Sequence, residues 1–133
     1  MPMQDMNRGT GGEPDVTFDR EKFLSKFDGD LEVAAEIATI FIEDSARMLG
    51  EVRTAAEAGN WTKLKEEAHS LKGTVGNMSA GRGYRLALEL EGAALRFDAP
   101  AAGAKIAEIE GEMEALLTAL KDFIAEGQPA AGA

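Results

Sequence analysis

No cysteine occurs among the 133 residues, which excludes a disulfide framework and any thiolate metal site. Histidine is almost as scarce. His69 is the only one, so neither a histidine metal cluster nor a cysteine–histidine nucleophile pair can be assembled from this chain. Long apolar runs are missing as well. No stretch reaches the ~18 uninterrupted apolar residues of a membrane span, and the N-terminus carries no apolar targeting segment. A soluble, cytoplasmic protein without membrane insertion is expected. Positive charge is in deficit, with 14 Lys and Arg against 24 Asp and Glu and a net charge of −10. Nucleic acids and anionic lipids need a basic footprint, so both are poor partners for this chain.

What remains is helical patterning. Residues 1–16 hold Pro2, Gly9, Gly11, Gly12 and Pro14 with little apolar periodicity and read as a flexible leader, and 127–133 as a similar tail. Between them one domain, 17–126, is expected. A short helix over 19–27 starts at the candidate N-cap Asp19 and buries Phe23 and Leu24. A long helix over 30–58 carries Leu31, Ala35, Ala38, Ile42, Ser45, Leu49 and Val52 at steps of four and three, widened by Ile37, Phe41 and Met48. Gly59 stops it and Asn60 caps the next, 61–77. Then come 80–97, with Leu86, Leu90, Ala93 and Phe97 inward, and a turn at 98–103 around Pro100. The last helix, 104–125, buries Ile106, Ile109, Met113, Leu116, Leu120 and Phe123. Met48, Met78 and Met113 are ordinary core at this spacing. Four long amphipathic helices with short connections specify an all-α, antiparallel four-helix bundle with a short extra N-terminal helix.

Within 61–77, Leu64, Ala68, Leu71, Val75 and Met78 fall in a sector roughly 80° wide at about 100° per residue. His69 points about 140° from the centre of that sector, toward water. Gly73 and Gly76 lie one and two turns on, rotated from His69 by only about 40° and 20°. A glycine inside a helix costs on the order of 1 kcal/mol relative to alanine, and both are read as clearing room for a partner to approach the imidazole. Lys72, one turn from His69, is placed where its ammonium can reach an anion on the ring. Residues 60–85 hold five cations (Lys63, Lys65, Lys72, Arg82, Arg85) and two anions (Glu66, Glu67). That surplus of +3 leaves −13 on the rest of the chain. A charge run of this kind is most often a solvated face; beside His69 it is read as a docking field for an acidic partner.

The run His69-Ser70-Leu71-Lys72-Gly73-Thr74-Val75-Gly76-Asn77-Met78, preceded by Ala68 and followed by Leu90-Glu91, resembles the signature of histidine-containing phosphotransfer (HPt) domains. The rest of the domain fits by pattern only. Ser79 stands where that family usually has glycine, and it is read as the N-cap of the next helix. The resemblance implies a phosphoryl carrier without kinase activity of its own. His69 would take the group from a receiver-domain aspartate and pass it to another, with Lys72 stabilising the phosphoryl group and Lys65, Glu66, Ser70, Gly73 and Gly76 in the docking surface. Its partners would be response-regulator receiver domains or a hybrid sensor histidine kinase, and the chain a monomer. It would have no cofactor or metal of its own, Mg²⁺ coming from the receiver. Glu91 is expected to cap or pair with arginines, outside the chemistry.

Two other functions compete. An enzyme needs a nucleophile with a base, or paired carboxylates in a pocket, and the sequence builds no cleft around His69. A helical docking module that works without phosphorylation fits the same fold.

Overall fold

Helix succeeds helix with connections of a few residues, and every start but that of α4 has a capping side chain. The computed structural model describes residues 15–127. Helix α1 runs over Arg20–Ser25, α2 over Leu31–Glu57, α3 over Trp61–Asn77, α4 over Gly81–Leu95 and α5 over Ala99–Gly127. Asp19 Oδ1 accepts from the Lys22 amide at 3.1 Å, Asp30 Oδ1 from Glu32 and Val33, and Asn60 Oδ1 from Lys63. Each cap satisfies amides that the first turn leaves without a helical partner.

The four long helices pack α2 on α3, α3 on α4, α4 on α5 and α5 on α2, an antiparallel four-helix bundle. Leu64, Leu71, Val75, Leu90, Leu116, Leu120 and Val52 are fully buried along its axis. Each such side chain contributes about 1.5–3 kcal/mol by leaving water. Helix α1 closes one end, where Phe18, Phe23 and Phe123 meet with ring centroids 5.6 Å apart and Phe27 lies 5.1 Å from Phe23. The expected leader 1–16 and tail 127–133 lie outside the described residues except at Asp15, Val16 and Gly127. Asp15 and Val16 are tied to α4: the Arg82 amide donates to Val16 O at 2.9 Å and Arg85 Nε to Asp15 Oδ1 at 3.2 Å.

Several sequence expectations are corrected. The turn expected at 98–103 is helix from Ala99 on. Asp98 Oδ1 accepts from the Ala101 amide at 3.1 Å, and Pro100 sits in the first turn, where a missing N–H costs nothing. On α2 the buried stripe follows Ala34, Ala38, Phe41, Ser45, Met48, Val52 and Ala55, while Ile37 is 38% exposed. Its apolar residues span more of the circumference than the ~100° stripe a neighbouring helix covers, so those at the margin stay wet. Leu24, Leu31, Ile42, Leu49 and Ile106 are only partly buried for the same reason.

Phe97, expected inward, is 68% exposed. The cause is the way α2, α3 and α4 end. Each closes in a Schellman motif, with paired amide-to-carbonyl bonds from Gly59 and Asn60 to Ala56 and Ala55, from Ser79 and Ala80 to Gly76 and Val75, and from Phe97 and Asp98 to Ala94 and Ala93. The first residue of each pair must take positive φ, and here φ is 66° at Gly59, 57° at Ser79 and 54° at Phe97. Glycine is usual at that position; an L-residue with a side chain costs about 1–2 kcal/mol there. The left-handed residue also breaks the helical phase, which throws Phe97 outward.

Ser79 is therefore not an N-cap. It is fully buried, its carbonyl accepts from the Asp19 amide at 2.9 Å, and its hydroxyl has no hydrogen-bond partner. Ala80 precedes α4 without a side-chain cap.

Candidate functional site

Helix α3 presents His69 on the flank that meets α4, and the imidazole is 67% exposed. Twenty-two residues on, α4 brings Glu91 back against it. Glu91 Oε2 lies 3.0 Å from His69 Nδ1, and Glu91 Oε1 accepts from Lys72 Nζ at 2.9 Å. One carboxylate thus joins both residues that the sequence singles out. An ionised carboxylate only accepts, so the proton sits on Nδ1, which leaves Nε2 as the basic nitrogen of the ring. Burial pushes the Glu91 carboxyl up, but the hydrogen bonds from Lys72 and His69 outweigh it and hold it below its ordinary value.

Glu91 is the site residue that sequence reasoning missed. It was expected to cap or to pair with arginines, yet its partners are His69 and Lys72. Lys72 is not a solvated lysine: its side chain is only 17% exposed and is held by Glu91. The Leu90-Glu91 dipeptide carried the signal. With Leu90 fully buried, the next residue is rotated by about 100° toward a flank of the helix.

The two glycines differ. A Cβ at Gly73 would meet nothing within 4 Å, whereas one at Gly76 would lie 3.2 Å from Tyr84 Cδ2. Gly73 is open ground beside the ring. Gly76 instead lets the Tyr84 ring of α4 pack close to α3, so the expectation that bulk at Gly76 meets only an approaching partner is corrected. Glu66 is exposed and Lys65 half-buried on α3. Ser70 belongs to the opposite flank, where it lines a polar groove with Asp44, Arg47, Glu51, Glu67 and Thr74.

The basic field is mostly answered from within. Lys63 pairs with Glu67 at 2.8 Å, Lys72 with Glu91 at 2.9 Å, Arg85 with Asp15 and Glu89, and Arg82 with Asp15 at 3.6 Å and Glu112 at 3.9 Å. Most of these carboxylates lie outside 60–85, which is why counting charge in that window overstated the field. Among the described residues, Lys65 alone of the five cations has no carboxylate partner. Among the described residues, too, no group of three or more His, Cys, Asp or Glu is gathered to hold a metal, and no helix is long and apolar enough to cross a membrane.

No curated protein sequence matches the chain. A solved structure, the HPT domain of a sensor hybrid histidine kinase from Shewanella, superposes with a TM-score of 0.69 at 18% sequence identity, covering 83% of this chain and 95% of that one. At that identity the likeness speaks for the fold. The profile of the Hpt domain matches residues 36–123, a span that contains His69, Lys72 and Glu91 and the two helices, α3 and α4, that carry them. The chain therefore belongs to the Hpt domain family, the histidine phosphotransfer modules of phosphorelays.

Proposed function

We propose that His69 is the phosphoryl carrier between receiver-domain aspartates. The observation that supports this most is the 3.0 Å contact between Glu91 Oε2 and His69 Nδ1, because it assigns the ring proton to Nδ1 and leaves the Nε2 lone pair for attack. Nε2 bonds to phosphorus as the P–O bond of the aspartyl phosphate breaks, and its electron pair leaves with the aspartate carboxylate. The Nδ1 proton stays, so the product ring is a phosphorylated imidazolium next to the Glu91 carboxylate. That charge makes the ring a good leaving group when a second aspartate attacks phosphorus. Lys72, one turn from the ring and fixed by Glu91, sets positive charge near the incoming phosphoryl group. Gly73 leaves the approach open.

The receiver would bring its aspartate and Mg²⁺, and this chain positioning and charge. It would act as a cytoplasmic monomer, without kinase activity. Lys65 and Glu66, rotated from His69 by about 40° and 60°, border the approach, and Ser70 lies about 100° away on the flank toward α2.

Single-turnover transfer from a phosphorylated receiver tests this reading. Wild type should acquire an acid-labile label, and His69→Gln should acquire none while its helical circular dichroism stays within a few per cent. Substitutions at exposed positions usually change stability by less than ~0.5 kcal/mol. Label retained on the His69→Gln variant would overturn the assignment and favour a docking module that works without phosphorylation.

A further inference from the structure

Helices α2, α3 and α5 start at Asp30, Asn60 and Asp98, whose side-chain oxygens accept first-turn amides. Helix α4 starts at Ala80 and has no such side chain. Its cap comes from another part of the chain. The Arg82 amide, in the first turn, donates to Val16 O at 2.9 Å, so a backbone carbonyl of the entering segment takes the place of the missing side chain. The Arg82 side chain extends the contact: Nη2 donates to Asp15 O at 2.8 Å and Nη1 to Thr17 Oγ1 at 3.5 Å. Arg85 Nε donates to Asp15 Oδ1 at 3.2 Å, and the Asp19 amide to Ser79 O at 2.9 Å. Residues 15–19 thus form a strap across the α3–α4 turn, fastened from Ser79 to Arg85.

The Arg82 guanidinium also faces α5, with Nη1 3.9 Å from Glu112 Oε1. The Glu112 side chain is 12% exposed, and Arg82 offsets the charge of this mostly buried carboxylate. One residue therefore fastens the start of α4 to the entering segment and to α5 at once. The turn itself holds that start poorly, since Ser79 has positive φ and a buried hydroxyl without a hydrogen-bond partner.

What is fixed at the start of α4 is felt at Glu91. Nine residues separate it from Arg82, about 13.5 Å along the helix. The Glu91 contact with His69 Nδ1 is 3.0 Å, and a separation of about 3.6 Å is no longer a hydrogen bond. At that radius a tilt of α4 away from α3 by only about 3° opens the gap.

We propose that Arg82 is a positioning residue for phosphotransfer: by strapping residues 15–19 across the α3–α4 turn it sets the tilt of α4 at which Glu91 meets His69. The reaction served is that of the phosphotransfer reading, on which this role rests, but the contact it controls can be observed without any transfer. Arg53 of α2 provides the control. It makes an ion pair with Glu110 of α5 at the opposite end of the bundle, away from the strap.

Nitrogen-15 NMR of the imidazole at pH 8 reads the contact, because a protonated ring nitrogen and one bearing a lone pair resonate far apart. The full chain is used, at a temperature where circular dichroism shows each variant folded. Wild type should show the Nδ1–H tautomer. Arg82→Met keeps the stem and removes the donors; it should move the imidazole toward a mixture of tautomers and slow single-turnover transfer from a phosphorylated receiver five- to tenfold. Since it also strips Glu112 of its partner, a second variant acts on the strap alone. Asp15→Lys sets a cation against Arg82 and Arg85 and should shift the same signals less, slowing transfer two- to fivefold. Arg53→Met should leave the signals in place and the rate within 1.5-fold, whatever it does to stability. Unchanged imidazole signals in Asp15→Lys overturn the proposal, as does an equal shift in Arg53→Met. If the signals move as expected but wild-type His69 takes no label, the hold of the strap on Glu91 stands and the phosphotransfer reading falls.

Discussion

On the flank of α3 that meets α4, charged groups are joined across helices: His69 and Lys72 both bond to Glu91, whose side chain is 17% exposed. On the flank that meets α2 each cation answers a carboxylate of its own helix. Lys63 pairs with Glu67 four residues on, and across the groove Arg47 pairs with Asp44 and Glu51 of α2. Local pairs of this kind form and re-form in water without fixing anything else. The cross-helix arrangement depends on the fold, since Glu91 reaches the ring only when α4 lies against α3. A reacting nitrogen needs that second kind of support, because rate depends on an aligned lone pair and a settled tautomer. The same helix therefore keeps one flank for chemistry and one for solvent.

The comparison breaks most sharply at Glu91. A hydrogen bond to a charged group contributes about 1.5–3 kcal/mol, which at about 1.4 kcal/mol per factor of ten corresponds to a 10- to 100-fold loss of transfer rate in Glu91→Ala. Glu91→Gln should lose less, because its amide oxygen still accepts from Nδ1. The matching change at Glu67 on the other flank should leave the rate within twofold. Single-turnover transfer at saturating receiver reads both. Acid sharpens the same contrast. The folded-state pKa of Glu91 lies below its ordinary value of 4.5, so its pairing contributes stability in full above that value and loses it as pH falls through the depressed one. Urea unfolding from pH 7 down to pH 3 should show the gap between wild type and Glu91→Gln full at neutrality and closing only below 4.5. A gap that closes above 5 would show that Glu91 is not held ionised by Lys72 and His69.

Ser79 sets the angle at which α4 returns against the chemical flank, and it should yield the next largest effect. Positive φ costs an L-residue about 1–2 kcal/mol, and a buried hydroxyl without a partner about 1–3 kcal/mol. Glycine relieves both, less up to about 1 kcal/mol for the freer unfolded chain. Ser79→Gly should therefore gain roughly 1–4 kcal/mol, a rise in Tm of about 4 °C or more by scanning calorimetry. Ser79→Ala removes the hydroxyl and keeps the strain, so it should fall between. A Ser79→Gly variant no more stable than Ser79→Ala would show that the backbone at this turn is not strained.

The bundle, its caps at Asp19 and Asn60, and the bounds of α3 were legible because they follow from local rules: period, capping side chain, glycine stop. His69 stood out for the same reason, as a polar residue out of phase with an apolar stripe. What stayed hidden depends on contacts between distant residues. The role of Glu91 requires knowing how α4 is rotated against α3, and the pairing of Arg82 and Arg85 with Asp15 requires knowing where the chain enters the bundle. Ser79 and Phe97 misled for another reason. Serine reads as an N-cap and phenylalanine as core, but a Schellman turn imposes a left-handed backbone whatever residue is present.

The smallest effect separates two glycines that the sequence made look alike. Gly73 meets open space, so Gly73→Ala should collect the helix-propensity gain of about 0.8–1 kcal/mol. At Gly76 the new methyl would sit 3.2 Å from Tyr84 Cδ2, closer than carbon atoms rest, and the partly buried ring must give way. Gly76→Ala should therefore gain nothing or lose a few tenths of a kcal/mol. The two differ in cause as well as size, which a double-mutant cycle exposes: in a Tyr84→Ala background, Gly76→Ala should recover the gain seen at Gly73, a coupling between contacting residues of about 0.5 kcal/mol or more. Transfer kinetics should divide the pair again. Leucine at Gly73 should slow receiver-dependent transfer with the fold intact, because it fills the approach, whereas leucine at Gly76 should act through a displaced Tyr84 and lower stability together with rate. Equal stability changes for the two alanine variants, unaltered by Tyr84→Ala, would return Gly76 to the role of open ground and remove the tyrosine from the construction of this flank.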